Sequence, residues 1–384
     1  MNRILTTHVG SLPRSQRVTE LIFAHELGSG FDPVEYETTM ADAVRTVVAR
    51  QVEAGIDLVS DGEQSKISYA TYIKDRITGF DGDSPRRTPQ DLEAFPSFLK
   101  RLASSGGSPQ YRRPRCVGPI APKTLAPLTA DIAHLHAAIA ATGSSAPTGT
   151  FMNAASPGVI ALFQPNEYYP SHEAYLNALA EAMRPEYEAI VAAGFVLQLD
   201  CPDLGLGRHM MFKDKTESEY IRLAHQHVDA LNTALRNIPA ERVRMHICWG
   251  NYEGPHHCDV PIEIVLPNAL RAKPQALLFE SSNPRHAHEW TVFRDSKIPD
   301  DKILVPGVLD SVTNFIEHPL LVAERIERFV NIVGRDRVIA GTDCGFSTFA
   351  GFGNVDAEIV YAKLHALAEG AAIASKRSWG TSAQ

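Results

Sequence analysis

The sequence predicts a single (β/α)₈ barrel, an α/β TIM-barrel fold, with a long excursion after the second strand. Three observations carry that reading. A helical stretch, a Gly or Pro stop and a short β-branched run recur along the chain. Eight such runs can be found, mostly separated by helices, which favours parallel βαβ units. No GxGxxG opens the first helix, so an open dinucleotide-binding sheet fits less well.

The first clear unit is residues 32–55, where Asp32 can cap, Pro33 occupies the first turn and Val44, Val47, Val48 and Val52 fall at helical spacing before Gly55. The strand-like IDLVSDGE follows, ending in Asp61 and Glu63. The pattern returns as residues 174–194 before FVLQLDCP, as residues 216–237 before RVRMHICW, and as residues 317–334 before RVIAGTDCG. In the third of these Thr216 and Glu219 are spaced for a capping box. TGTFMNAA, ALLFESS, ILVPGVLD and the opening ILTTHVG complete the set of strands.

Residues 1–384 are read as one domain, with 64–147 as the excursion overhanging the C-terminal face of the barrel. A connection of that length, far beyond about 15 residues, is expected to be functional or to carry structure of its own. It is rich in Pro, Gly and Ser and gathers Arg86, Arg87, Lys100, Arg101, Arg112, Arg113 and Arg115. The alternatives there are a solvated loop or a field that attracts an anionic substrate.

Composition excludes several classes. With 44% hydrophobic and 21% charged residues the chain is an ordinary globular sequence. A net charge of −8 argues against a nucleic-acid partner. No run reaches the ~18 apolar residues of a membrane span, and the N-terminus lacks an apolar secretory segment, so a cytoplasmic protein is expected. Five cysteines are too few, and odd in number, for a disulfide framework. The oligomeric state is left open.

The strand ends concentrate the chemistry. In order they carry His8, Asp61 with Glu63, Asn153, Asp200, His246 with Cys248, Glu280, Asp310, and Asp343 with Cys344. A barrel brings such ends around one mouth, where its active site belongs. Strand alternation points His246 and Cys248 to the same face, about 6.6 Å apart along the axis. Cys344 and Glu280, on two other strands, could complete a Cys₂-His-Glu set, an inventory that suits zinc and disfavours magnesium or calcium. Buried strand residues with no metal remain the plain alternative.

These segments resemble the catalytic barrel of cobalamin-independent methionine synthase and its relatives in the uroporphyrinogen decarboxylase/methionine-synthase-like superfamily. The resemblance runs in order through TTHVGSLPR, LVSDGE, RCVGPI, QLDCP, HIC, FESS, PGVLD and TDCG. It implies a zinc site on His246, Cys248, Glu280 and Cys344, with Gly10 and Ser11 at a thiol substrate's carboxylate and Glu63 and Asp200 at its ammonium group. It also implies Arg115 and Cys116 on the methyl-donor side. The partners so implied are a small-molecule thiol and an alkyl donor. The expected activity is zinc-dependent methyl transfer from a methylated folate or related donor to homocysteine, giving methionine. The chain looks like the short, single-barrel branch, which also includes proteins resembling epoxyalkane:coenzyme M transferase. Thiol addition to an epoxide is therefore an alternative, and a non-catalytic zinc-stabilised binding module another. Metal-free porphyrin decarboxylation would leave Cys248 and Cys344 unused. Two family features are missing: the acids after the Asp200 strand are replaced by CPDLGL, and the proton-donating His falls on Val312.

Around this ring, His8, Trp249, Asn251, His286 and Asp310 are expected as catalytic or supporting groups, each weighed against simple packing. Supporting Glu280 is the preferred role for His286, over a metal pair with His288.

Overall fold

The computed structural model describes residues 3–28, 30, 32–85, 87–104 and 111–380. Arg86, one of the predicted basic cluster, lies outside the described residues. Ten strands are present: β1 (Leu5–Thr6), β2 (Leu58–Val59), β3 (Phe80–Asp81), β4 (Arg115–Cys116), β5 (Gly149–Ala155), β6 (Val196–Asp200), β7 (Val243–Ile247), β8 (Ala276–Phe279), β9 (Ile303–Leu309) and β10 (Ile339–Thr342). Eight of them form a parallel sheet in the order β1-β10-β9-β8-β7-β6-β5-β2, and β3 pairs with β4 antiparallel. The seam between β1 and β2 is bridged by side chains: Thr6 N–H donates to Asp57 Oδ2 at 2.9 Å, and the Thr7 hydroxyl to the Leu58 carbonyl at 3.2 Å. The sheet thus curls into the expected (β/α)₈ barrel.

Local chemistry explains the helices. Asp32 accepts from the Val34 N–H to start Pro33–Glu53, which buries Met40, Val44, Val47 and Val48 against the barrel. The Thr216–Glu219 capping box is formed in both directions at the head of Glu217–Ala234. His318 accepts from the Leu320 N–H and caps Pro319–Val333, so that side chain belongs to a helix start. Among the described residues, no helix is long and apolar enough to cross a membrane.

Strand interiors such as VLQL read as apolar packing, but the barrel lumen is partly polar. Arg244 is buried there, donating from Nε to Gln198 Oε1 (2.6 Å) and from its terminal nitrogens to Thr7 Oγ1 and the His8 carbonyl (2.9 Å each). Its guanidinium lies 3.5 Å from the centre of the Phe151 ring. Every acceptor that Arg244 finds comes from another strand, so only the closed barrel can satisfy it.

Residues 64–147 carry structure of their own: a 3₁₀ turn at Thr71–Asp75, the β3–β4 pair, helices Gln90–Glu93 and Pro96–Ser104, and the long helix Ala126–Ala141. That last helix packs against Pro33–Glu53 in the outer layer, so the barrel resumes before residue 147. The start of the excursion is tied down by Arg76, which reaches Asp131 Oδ2 at 2.6 Å and Glu186 Oε1 at 3.0 Å, all three side chains being buried. Tyr72 adds a 2.6 Å hydrogen bond to the same Glu186 oxygen. Removing the cation strands two carboxylates in the interior, so Arg76→Met is expected to destabilise the fold by about 3–5 kcal/mol. Urea unfolding monitored by circular dichroism measures this, as a lower midpoint at unchanged slope.

Candidate metal centre and active site

The ends of β7 and β10, separated in the sheet by β8 and β9, bring sulfur and imidazole together at the barrel mouth. Donor atoms of His246, Cys248 and Cys344 all lie within 4.8 Å of one another, and all three residues are buried. The two sulfurs are 3.6 Å apart, far beyond the ~2.05 Å of a disulfide. Two thiolates on one tetrahedral zinc at ~2.3 Å would be about 3.8 Å apart, so the pair fits that geometry with little movement. His246 Nδ1 is 3.1 Å from Asp200 Oδ1, and Nε2 is 3.2 Å from the carbonyl of Asp343, the residue before Cys344. A carboxylate on the remote imidazole nitrogen is the usual way to orient a metal-binding histidine. The Gly250 N–H donates to Cys248 Sγ at 3.2 Å. The Cys344 hydrogen bond, then burial, hold the Cys248 thiol well above its ordinary range; a cation between the sulfurs would reverse that.

Glu280 does not join the three-residue group. Its carboxylate is held by the Trp249 N–H at 2.8 Å and by the Asn283 amide at 2.7 Å. The anchoring runs deeper: Trp249 is fully buried, donates from Nε1 to the Val260 carbonyl (2.7 Å), and packs on the His286 ring with centroids 4.5 Å apart. His286 sits between Asp259 (3.0 Å) and Glu289 (2.8 Å), and despite burial these carboxylates raise it to about 10. It packs behind Trp249, whose N–H holds Glu280. His288 is exposed, whereas His286 is buried with both ring nitrogens on carboxylates. Asp343 accepts from the Ser281 and Ser282 N–H groups (2.8 and 2.9 Å), locking the end of β8 onto β10.

The sulfurs face a cavity of about 250 Å³. Its lining combines polar groups, among them Ser11, Glu63 and Asp200, with apolar ones such as Leu92, Leu99 and Leu102 from the excursion. Glu63 is held at φ 55°, a left-handed conformation that only a firmly fixed turn sustains in a residue with a side chain. The turn is fixed by the Asp61 carboxylate, which accepts the Glu63 N–H at 3.0 Å, and by Arg14, which binds the Glu63 carbonyl and, at 2.7 Å, the Ser347 carbonyl. Glu63 Oε2 is buried without a hydrogen-bond partner. Burial, then the neighbouring Asp200 charge, outweigh Lys66 and lift this carboxyl to about 7. A buried carboxylate oxygen left open beside a second carboxylate is a receptor for a cationic group.

Gly10, with φ 143°, could not carry a side chain, since a Cβ there would lie 2.5 Å from the Asn153 amide. Ser11 accepts the Ser347 N–H at 3.3 Å, joining the loops after β1 and β10.

A model of the cobalamin-independent synthase catalytic domain matches residues 4–85. The methionine synthase of Saccharolobus solfataricus is 26% identical over 370 residues, covering 95% of this chain and 93% of that protein. That of Sulfolobus acidocaldarius is 25% identical over 341 residues, covering 88% and 85%. The structure of a B12-independent methionine synthase from Shewanella sp. W3-18-1, in complex with selenomethionine, superposes with a TM-score of 0.75 at 20% identity, covering 98% of each chain. The chain is thus similar to cobalamin-independent methionine synthases, in sequence over nearly its full length and in fold.

Several residues expected at a methionine-synthase-like site lie elsewhere. Arg115 and Cys116 do not line this cavity: β4 is drawn outward by pairing with β3 and by the Cys116 N–H bond to the Pro165 carbonyl (2.8 Å). Arg115 pairs with Glu167 at 3.2 Å, and the buried Cys116 thiol donates to the Gly118 carbonyl. His8 is also a packing residue. Its Nδ1 accepts the Gly10 N–H (3.1 Å), its Nε2 meets Gln51 (2.7 Å), and burial lowers it to about 3. It braces the Gly10–Ser11 turn, and burial favours its neutral form. Asp310 spends its oxygens on Val312 and Thr313 in its own loop. Asn251 stitches the mouth together, donating to the Gly345 carbonyl (2.7 Å) and accepting from Ser311 (3.1 Å). Of the basic cluster, Arg87 and Arg113 line the cavity. Sequence reading missed Tyr69, which lies in a stretch without a motif and enters the cavity only because the excursion folds back over the mouth.

Proposed function

We propose that this chain is a zinc-dependent thiol S-alkyltransferase that methylates homocysteine to methionine, with a methylated folate or related compound as donor. The observation that carries the reading is the convergence of His246, Cys248 and Cys344 on one point, at the wall of a cavity that also presents the open Glu63 carboxylate. The names of the two archaeal relatives, which share nearly the full length, support the same chemistry.

His246, Cys248 and Cys344 would hold the ion, leaving a fourth position for an incoming thiol. Zinc bound there supplies deprotonation of the thiol while leaving its sulfur nucleophilic. Everything else falls to the chain. Glu63 and Asp200 receive the substrate ammonium, Gly10 and Ser11 its carboxylate, and these contacts direct the thiol toward the sulfur-lined wall. Asp200 does double service by orienting His246. The apolar walls exclude water, which protects the sulfur from competing protons.

One observation favours thiol addition to an epoxide as a second reading. Asp203, the acid nearest the missing folate-binding positions, is turned inward onto His227 at 2.7 Å and Ser156 at 3.2 Å, while Leu92, Leu99, Leu206 and Met210 give the cavity an apolar lining. Zinc-edge absorption spectroscopy tests both readings. Homocysteine is expected to add one sulfur to the zinc shell, and coenzyme M to do so if the second reading holds. A zinc shell unchanged by either thiol overturns the transferase assignment and leaves a structural module.

A further inference from the structure

We infer that the Tyr69 hydroxyl is the proton donor to the atom that leaves carbon when the sulfur is alkylated. The inference rests on the transferase reading above.

The geometry is specific. Tyr69 lines the same cavity as Cys248, Cys344, Glu63 and Asp200. Its ring is gripped by Phe163 and Phe349, each with centroids 5.6 Å away. The backbone before it is clamped to the loop after β10, the strand end that carries Cys344: the Ala350 N–H donates to the Ile67 carbonyl at 2.9 Å, and Ser68 bridges to Phe349. The phenol is therefore rigidly placed relative to the sulfurs, yet its hydroxyl makes no hydrogen bond to any described residue. Among the other polar groups of the mouth, Glu63 and Asp200 receive the substrate ammonium in the reading above, and three more are held by hydrogen bonds. Tyr252 donates to Asp91 (2.8 Å), Asn251 to the Gly345 carbonyl, and His246 is held by Asp200. Thr348 has an unpartnered hydroxyl, but an aliphatic alcohol is a much weaker acid than a phenol.

The step balances. A thiolate lone pair forms the S–C bond, and the electrons of the breaking bond pass to the leaving atom, which takes the Tyr69 proton. Solvent then returns one proton to the phenolate, matching the proton that the thiol lost on binding. No oxidant or reductant is needed.

The test is Tyr69→Phe, which removes only the hydroxyl, in the zinc-loaded full chain with homocysteine bound. Two alkylating probes separate the roles: methyl iodide, whose iodide leaves without a proton, and propylene oxide, whose oxygen must be protonated. The expected result is a methyl iodide rate within about twofold of wild type and an epoxide rate about 10²–10⁴-fold lower. Homocysteine affinity by calorimetry and the melting temperature should stay unchanged. An equal loss with both probes shows a packing role and overturns the proposal. So does an unchanged epoxide rate, or a wild-type protein that accelerates methyl iodide but not the epoxide. Acceleration of neither by wild type defeats the transferase reading itself.

Discussion

Replacing Cys248 or Cys344 with serine is expected to strip the metal and abolish transfer. Even partners outside the coordination shell change metal affinity or activity by about 10–100-fold when removed, so loss of a thiolate ligand should exceed that range. Serine keeps the size and removes the soft anion, and it stays a neutral alcohol at any pH the fold tolerates. Metal analysis of the purified protein should fall from about one zinc per chain to a trace in either variant. The folded state should survive, since both residues sit at the mouth of a barrel whose core is built from Leu, Val and Ile without them. A serine variant that retains both zinc and activity would falsify the assignment of these cysteines as ligands.

Glu63→Gln is the second large effect, and it carries a pH signature. The free Glu63 carboxyl titrates at about 7, raised chiefly by burial. Below that pH an arriving ammonium group meets a neutral acid; above it, an anion. Affinity for an amino-acid ligand should therefore weaken by up to about tenfold for each pH unit below 7 and level off above it. Methionine is the better probe, because it lacks a thiol whose own ionisation would confuse the profile. At pH 8, Glu63→Gln should lose a charge-assisted hydrogen bond of about 1.5–3 kcal/mol, roughly a 10–100-fold weaker Kd. Its pH profile should be flat between 5.5 and 8. Calorimetric titration reads both quantities. Equal affinities for wild type and variant at pH 8 would mean that the ammonium binds elsewhere.

Glu63, the metal residues and Tyr69 differ in how legible they were. His246 and Cys248 could be paired from one strand because side chains two apart share a face. Cys344 could be added only by assuming that β10 ends beside β7 across the lumen, which the barrel confirms. Glu280 shows the limit: it sits at a strand end like the others, but the Trp249 N–H and Asn283 hold it outside the group. His8 and Arg115 looked as chemical as any residue in the chain. Gln51 and the Gly10 N–H occupy both ring nitrogens of the first, and a strand pairing carries the second away.

The sequence by itself determined the periodic helices, their caps, the eight strands and the inventory of strand ends, because these depend on residues a few positions apart. Tertiary structure alone decided which ends face one cavity, which carboxylates find partners and which remain open. Those outcomes turn on groups far apart in the chain, such as Arg76 with Glu186 or Tyr69 with Phe349. A buried polar group takes its character from whatever closes around it, and only the folded barrel supplies those neighbours.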